Sequence, residues 1–368
     1  MTKFIPDTVS PPGDTIIDLL EEKDWSQKEL AKRLGYDEKH ISQLLTGKAP
    51  LSLDAAQRLE RVLGSTTQFW LSRETKYREH LARIEAQKQC AEWISWLDKL
   101  PIPELKKAGV LPNERLNQDN KPTFVEKCLR FFGVAAPEQW AAKYGAMEVA
   151  FRRSQQIETD IGAVSAWLRL GEIAAEKIDD KNKYNKDKFK KALEQIRALT
   201  IESPEVFEPK LRQLCLDAGV AFVVVPAISK ARVSGAARWL NNHKPLIQLS
   251  LFGKTNDKFW FTFFHEAAHI LLHADKKEIV YLDNPSQPNS GVDYEKEADE
   301  WAGNTLIPSE YVAQLSALRT KSAVCDFSAG IGIHPAIVVG RLQHDKLIEP
   351  SWMNDLKVSF RLIESTAQ

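Results

Sequence analysis

The run Phe261-Thr262-Phe263-Phe264-His265-Glu266-Ala267-Ala268-His269-Ile270-Leu271-Leu272-His273 embeds a His-Glu-x-x-His arrangement in apolar sequence. Read as a helix, it puts His265 and His269 four residues apart on one face, with Glu266 beside them. Two neutral imidazoles and one carboxylate can hold Zn²⁺ with a position left open for water. Water there becomes acidic, and Glu266 stands where a general base is needed. Phe261, Phe264 and Ala268 share one stripe, while Phe263, Ile270 and Leu271 make the remaining surface apolar, so the helix is expected to be buried. Unpaired imidazole and carboxylate groups are costly in such a setting, which favours a metal site over an incidental pattern. His273 extends the series by four more residues, but it lies about 12 Å along the axis from His265, too far to share one ion. It reads as a helix-end residue or one that supports a ligand from behind.

The third ligand is expected from the later stretch Asp293-Tyr294-Glu295-Lys296-Glu297-Ala298-Asp299-Glu300-Trp301-Ala302-Gly303-Asn304-Thr305-Leu306-Ile307-Pro308. Glu295, Ala298, Asp299 and Ala302 form one helical stripe, and the two alanines let that face approach Ala267 and Ala268 closely. This favours Glu295 as the ligand. Asp299, one turn on, is placed to accept the other ring N–H of a ligand histidine and so fix its tautomer. Glu297, between Tyr294 and Trp301 on a bulkier face, is the alternative ligand, and Lys296 and Glu300 fit a solvated surface.

These residues carry a resemblance. The His265 to His269 helix, followed by Glu295-x-x-Ala298-Asp299-x-Trp301-Ala302 and Leu306-Ile307-Pro308, resembles the ImmA/IrrE family of zinc metallopeptidases. Trp301 and Ile307 depart mildly from the family's usual residues. The resemblance implies a zincin-like fold, Zn²⁺ as cofactor, Glu295 as the carboxylate ligand, and cleavage of a helix-turn-helix repressor as the activity.

At the other end, Ser26-Gln27-Lys28-Glu29 has the form of a capping box, in which Ser26 accepts from the Glu29 amide while Glu29 reaches back. Leu30, Ala31 and Leu34 supply the inner face of the helix it starts, Gly35 breaks that helix, and Asp37 caps a second one with Ile41, Leu44 and Leu45 inward. This is a helix-turn-helix pattern. Its second helix would present Glu38, Lys39, His40 and Gln43 to base edges in the major groove, with Ser42 and Lys48 near phosphates. Gln27 and Lys28 would touch backbone phosphate. Glu38 is repelled by DNA unless it accepts from a cytosine amino group. The text from Pro12-Gly13-Asp14 through Leu30-Ala31-x-x-Leu34-Gly35, Ile41-Ser42-x-Leu44-Leu45-x-Gly47-Lys48 and Ala55-x-x-Leu59-Glu60 to Phe69-Trp70-Leu71 resembles an XRE-type domain of the HigA antitoxin kind. That likeness implies a double-stranded DNA operator bound as a homodimer and a toxin partner. Tyr36-Asp37-Glu38 departs from the usual pattern.

A length of 368 residues predicts two or three domains, and 43% hydrophobic with 27% charged residues describes ordinary globular material. The formal net charge of zero means that nucleic-acid binding must rest on a local surface. Four scattered cysteines with no Cys-x-x-Cys spacing read as buried free thiols. No apolar leader follows Met1 and no uninterrupted membrane-length apolar run occurs, so a cytoplasmic location without membrane contact is expected.

Between the two motifs, Tyr77 to Leu97 reads as a helical connector punctuated by Pro101 and Pro103, with further helices over Phe124 to Phe132, Ile161 to Ile178 and Phe189 to Leu199. The charged run Asp179 to Lys188 reads as a solvated loop. Strand character is confined to three segments, Val220 to Pro226, Gly235 to Leu240 and Leu246 to Leu251. A small sheet beside the metal helix could pair with an extended substrate. The tail carries helices over Glu310 to Leu318 and Ile333 to Leu342, with Pro335 in a first turn. Tyr281, Tyr294 and His334 are candidate oxyanion donors, and His334, Arg341 and His344 read as structural or cleft-rim residues.

The fold class expected is mainly α with a small β-sheet (α+β). Residues 1–80 are the helix-turn-helix domain, 81–200 a helical connector, and 201–368 the zincin-like domain. The function expected is a DNA-binding transcriptional regulator carrying a zinc-dependent endopeptidase that acts on a repressor-type protein. The competing reading is an antitoxin-type autorepressor whose zinc fold binds or senses a partner without cutting it.

Overall fold

The computed structural model of the chain describes residues 9–153, 160–178, 182–251, 253, 255–273, 281–283 and 293–361. The chain divides into two compact units, residues 1–95 with 116–126 and residues 96–115 with 127–368.

The first unit is built on five helices, α1 (Pro12–Glu22), α2 (Gln27–Leu34), α3 (Glu38–Leu45), α4 (Leu53–Leu63) and α5 (Thr67–Glu92). Four of them begin at a side-chain cap. Ser26, Asp37, Ser52 and Thr66 accept from the amides of Glu29, His40, Ala55 and Phe69. Each cap is worth about 1 kcal/mol by satisfying an amide that the helix leaves open. The inner faces of Ile16, Leu30, Leu34, Ile41, Leu59 and Trp70 meet in one core. Between α2 and α3 the chain turns at Gly35, whose φ of 71° and ψ of 33° lie in the left-handed region that a Cβ disfavours. With no helix breaker after Thr67, α5 runs unbroken through residue 80.

The second unit is α+β. A 3₁₀ turn over Ile94–Lys99 and α7 (Lys121–Phe132) each straddle a division between the units, and α6 (Ile102–Lys107), α8 (Pro137–Arg153), α9 (Ile161–Glu176), α10 (Lys186–Ala198) and α11 (Pro204–Asp217) belong to the second. The sheet strands are β1 (Ala221–Val224), β2 (Gly235–Asn241), β3 (Lys244–Leu249) and β4 (Tyr281–Asp283), in the order β1-β3-β2-β4. β1 runs parallel to β3, β2 and β3 form an antiparallel hairpin, and β4 pairs antiparallel to β2 with Gly235 opposite Asp283. Helix α12 (Asn256–Leu272) packs against β2 and β3. Helices α13 (Asp293–Leu306), α14 (Ser309–Leu315), α15 (Lys321–Ile331) and α16 (Pro335–His344) follow.

Trp260, Phe263, Phe264, Leu211, Ile247 and Val338 centre the core of this unit. Arg238 of β2, buried, donates to Glu172 of α9 at 2.7 Å and ties that helix to the sheet. Removing one partner of such a buried pair typically costs about 3–5 kcal/mol, because it strands the other charge.

The mainly α architecture with a small mixed sheet agrees with the sequence reading, and the three expected strands fall within one to two residues of β1, β2 and β3. β4 is the difference. At three residues it is too short to show alternation, and its pairing to β2 defines it. Of the charged run, residues 179–181 lie outside the described residues, while Lys186 and Lys188 belong to α10. Cys90, Cys128 and Cys215 are free and buried, and Cys325 is half-buried. Burial pushes the Cys128 thiol up to about 12, so it is inert as a nucleophile. Among the described residues no single helix is long and apolar enough to cross a membrane.

Candidate metal centre and helix-turn-helix surface

α12 is buried along almost its whole length, which an amphipathic surface helix would not be. Ala267 and Ala268 on α12 and Ala298 and Ala302 on α13 are all fully inaccessible, and small side chains there let the two helices pack closely. This closeness brings Glu295 and Asp299 of α13 to the histidines of α12.

The ligand atoms converge. His265 Nε2 and His269 Nε2 stand 3.1 Å apart, Glu295 Oε2 lies 3.2 Å from the former, and Glu295 Oε1 lies 3.6 Å from the latter. Three donors on a tetrahedral Zn²⁺ with bonds of about 2.05 Å would stand about 3.3 Å from one another. Among the described residues, His265, His269 and Glu295 form a group whose ligand atoms all lie within 4.8 Å of one another. The electronics fit as well. His265 Nδ1 is 2.8 Å from Asp299 Oδ1, and an ionised carboxylate only accepts, so the ring proton lies on Nδ1 and the Nε2 lone pair faces the cluster. Lone pairs and a carboxylate directed at one point repel unless a cation lies among them.

Burial sets the protonation states. It holds the His269 pKa down to about 4, with the neighbouring histidines adding to the effect, so this imidazole is neutral and able to ligate at pH 7. Burial alone would raise the Glu295 carboxyl, but its contacts with the His265 and His269 rings outweigh burial and hold it down at about 2. Glu266, fully buried on the same helix, lies against Gly235 at the start of β2. A Cβ built on Gly235 would sit 2.5 Å from Glu266 Oε1 and 2.6 Å from Thr262 Cγ2. A glycine that opens a strand is the only sequence sign of this approach, and it goes unread without the fold.

The other candidates are placed elsewhere. Glu297 is not among the converging atoms; its Oε2 meets His273 Nε2 at 3.0 Å. His273 caps the C-terminus of α12, and its Nδ1 lies 3.0 Å from His269 Nδ1. Tyr294 packs edge-on against His273 with ring centroids 5.0 Å apart. His334 caps α16 by accepting from the Ala336 amide, 3.1 Å away, and Arg341 pairs with Asp345 at 2.6 Å. Lys296 and Glu300 are exposed. The Tyr281 side chain lies outside the described residues.

In the first unit, Gln27, Lys28, Glu38, Lys39, Ser42 and Lys48 are exposed and Gln43 is half-buried. His40 differs, because its ring packs edge-on against Tyr36 at 4.6 Å. Glu38 lies 4.0 Å from Lys28 across the turn, which offsets the like-charge problem that a carboxylate brings to DNA. Only half of the capping box forms. Ser26 accepts from the Glu29 amide, but the Glu29 carboxylate accepts from Arg33 Nε at 2.7 Å instead of turning back. Arg33 also stacks on Trp25 at 3.9 Å, a contact that helical spacing does not reveal.

Residues 16–70 match the helix-turn-helix family, and residues 228–325 match the IrrE N-terminal-like domain. The chain joins an XRE-type helix-turn-helix domain to an ImmA/IrrE-type peptidase-like domain. A curated relative, the uncharacterized HTH-type transcriptional regulator YddM of Escherichia coli (strain K12), is 41% identical over 61 residues. That alignment covers 17% of this chain and 65% of the relative, just under two thirds of its length. The matched segments run from within α1 through α2, α3 and α4 to the start of α5 in one unit, and take in β2, β3, α12, β4, α13 and α14 in the other.

Proposed function

We propose that this protein is a cytoplasmic DNA-binding regulator whose second unit is a zinc endopeptidase acting on a repressor-type protein. The observation that carries the reading is the convergence of His265 Nε2, His269 Nε2 and Glu295 on one point, with Glu266 on the same helix. His265, His269 and Glu295 would hold the zinc, which supplies Lewis acidity to water and to a peptide carbonyl. Asp299 orients the His265 ring through its Nδ1–H. Glu266 takes a proton from the attacking water and passes it to the leaving amine, a transfer for which its burial and fixed position suit it. β4 is an edge strand of the sheet, and an extended substrate would pair along it.

For the first unit, the reading is operator binding as a homodimer. Lys39 and Gln43 on α3 would read base edges, while Gln27, Lys28, Ser42 and Lys48 contact phosphate. The description of the relative as an HTH-type transcriptional regulator supports this assignment.

The test is metal analysis of the full chain beside His269→Ala and Glu295→Ala, followed by hydrolysis with Glu266→Gln as control. One zinc per chain, lost in both ligand variants, is expected. Glu266→Gln should keep zinc and lose hydrolysis of a repressor substrate. If Glu266→Gln cleaves as fast as wild type, the peptidase mechanism is wrong. If the wild-type chain binds zinc and its toxin or repressor partner without cutting it, the antitoxin-type reading replaces this one.

A further inference from the structure

Asp299 meets the Nδ1 side of the His265 ring directly, and His273 stands at the Nδ1 side of the His269 ring. Its Nδ1 lies 3.0 Å from His269 Nδ1, and its Nε2 lies 3.0 Å from Glu297 Oε2. His269 and His273 are almost completely buried, and the edge of Tyr294 packs against His273.

Counting protons along this line decides what it does. A carboxylate only accepts, so the proton of His273 is on Nε2. A neutral imidazole carries one proton, so His273 Nδ1 offers a lone pair. The proton in the Nδ1 to Nδ1 contact then belongs to His269, which leaves the His269 Nε2 lone pair facing His265 and Glu295. Eight residues along the helix put His273 out of reach of the metal that His265 would bind, yet one turn puts it within reach of His269.

We propose that His273 and Glu297 are positioning residues that fix the tautomer and ring orientation of His269 through a Glu297 to His273 to His269 hydrogen-bond relay. The inference rests on the zinc reading above. It gives α13 three separate duties: Glu295 faces the ion, Asp299 orients one ligand, and Glu297 orients the other at one remove. The Glu297 side chain is 57% exposed, so it can be changed with little effect on packing.

The experiment measures zinc affinity of the full-length chain by competition with a chromophoric chelator. His273→Phe keeps an aromatic ring against Tyr294 but removes the acceptor, and Glu297→Leu removes the carboxylate. Both are expected to weaken zinc binding about 10- to 100-fold, the usual range for losing a residue that orients a ligand. Glu297→Gln still offers an oxygen to His273 Nε2–H and should stay within about threefold of wild type. Nitrogen NMR of ring-labelled histidines in the zinc-free protein should find His269 protonated on Nδ1 and His273 on Nε2. Thermal melts of the zinc-free variants separate loss of affinity from loss of fold, and the exposed Glu297 supplies the test if His273→Phe fails to fold. Wild-type affinity in folded Glu297→Leu, or a proton on His273 Nδ1, would overturn the relay while leaving the zinc site intact. A wild-type chain that binds no zinc would overturn both.

Discussion

Gly235→Ala isolates Glu266 from the metal ligands. The backbone at Gly235 lies outside the left-handed region, so alanine fits there as far as φ is concerned, and the difficulty is space. The three atoms that the new methyl would strike are Glu266 Oε1 at 2.5 Å, Thr262 Cγ2 at 2.6 Å and Glu266 Cγ at 2.9 Å. Ordinary contact begins at 3.4 Å, so the carboxylate oxygen must retreat by about 0.9 Å while the buried helix stays where its neighbours hold it. Overpacking of this kind costs about 1–3 kcal/mol, or roughly 2–10 °C in the melting temperature of a unit this large. Displacing a general base by about 1 Å costs about 100-fold in rate. The assay pairs hydrolysis of a protein substrate, with Glu266→Gln as zero, with zinc content and a thermal melt. Hydrolysis should fall about 100-fold while zinc stays at one per chain. Adding Thr262→Ser removes the methyl at 2.6 Å and should recover part of the stability but little of the rate. Full activity in a zinc-loaded Gly235→Ala protein would refute the placement of Glu266, and joint loss of zinc and activity would mean that Gly235 supports the whole site.

Three further outcomes are expected. Gly35→Ala forces a Cβ into a residue at φ 71° and should destabilise the first unit by about 1–2 kcal/mol, seen as a lower urea midpoint; an unchanged midpoint would contradict the turn geometry. Lys39→Ala with Gln43→Ala should abolish a specific footprint upstream of the protein's own gene while weak, salt-sensitive binding persists, and a retained footprint would remove α3 from the groove. In the zinc-free protein, His269 is held at about 4 against an ordinary value of 6.5, so the unfolded chain binds the extra proton between these values and stability falls as pH falls through that window. Glu295, held at about 2 against 4.5, contributes stability that is present above 4.5 and lost as pH falls toward 2. A urea midpoint that stays flat from pH 6.5 to 4 would count against the buried, neutral His269.

What could be read from sequence was what repeats. The caps at Ser26 and Asp37, the break at Gly35 and the inward faces of α2 and α3 follow from local rules, because each depends on residues within four positions. The pairing of α12 with α13 was legible for the same reason, since Ala298 and Ala302 repeat at four-residue spacing beside Glu295 and Asp299. Contacts that join residues without a shared period were not legible. β4 is three residues long and is defined by its partner, Gly235 approaches Glu266 from 31 positions away, and Arg33 reaches Trp25 although the two lie on opposite sides of a helix start.

Glu297 shows where stripe reasoning stops. Steps of about 100° per residue put Glu295 and Asp299 on one face of α13 and turn Glu297 roughly to the other side. From that geometry a carboxylate off the stripe is either a rival ligand or a solvated side chain. The structure supplies a third use because the partner of Glu297 is not on the regular part of α12. His273 is the C-cap, with φ −112° and ψ 26°, and its amide still donates to the His269 carbonyl one turn back. At this last position its ring meets His269 with one nitrogen and Glu297 with the other. The series of histidines four apart therefore changes its meaning at its last member. His265 and His269 turn their Nε2 atoms toward Glu295, and His273 holds the second of them from behind.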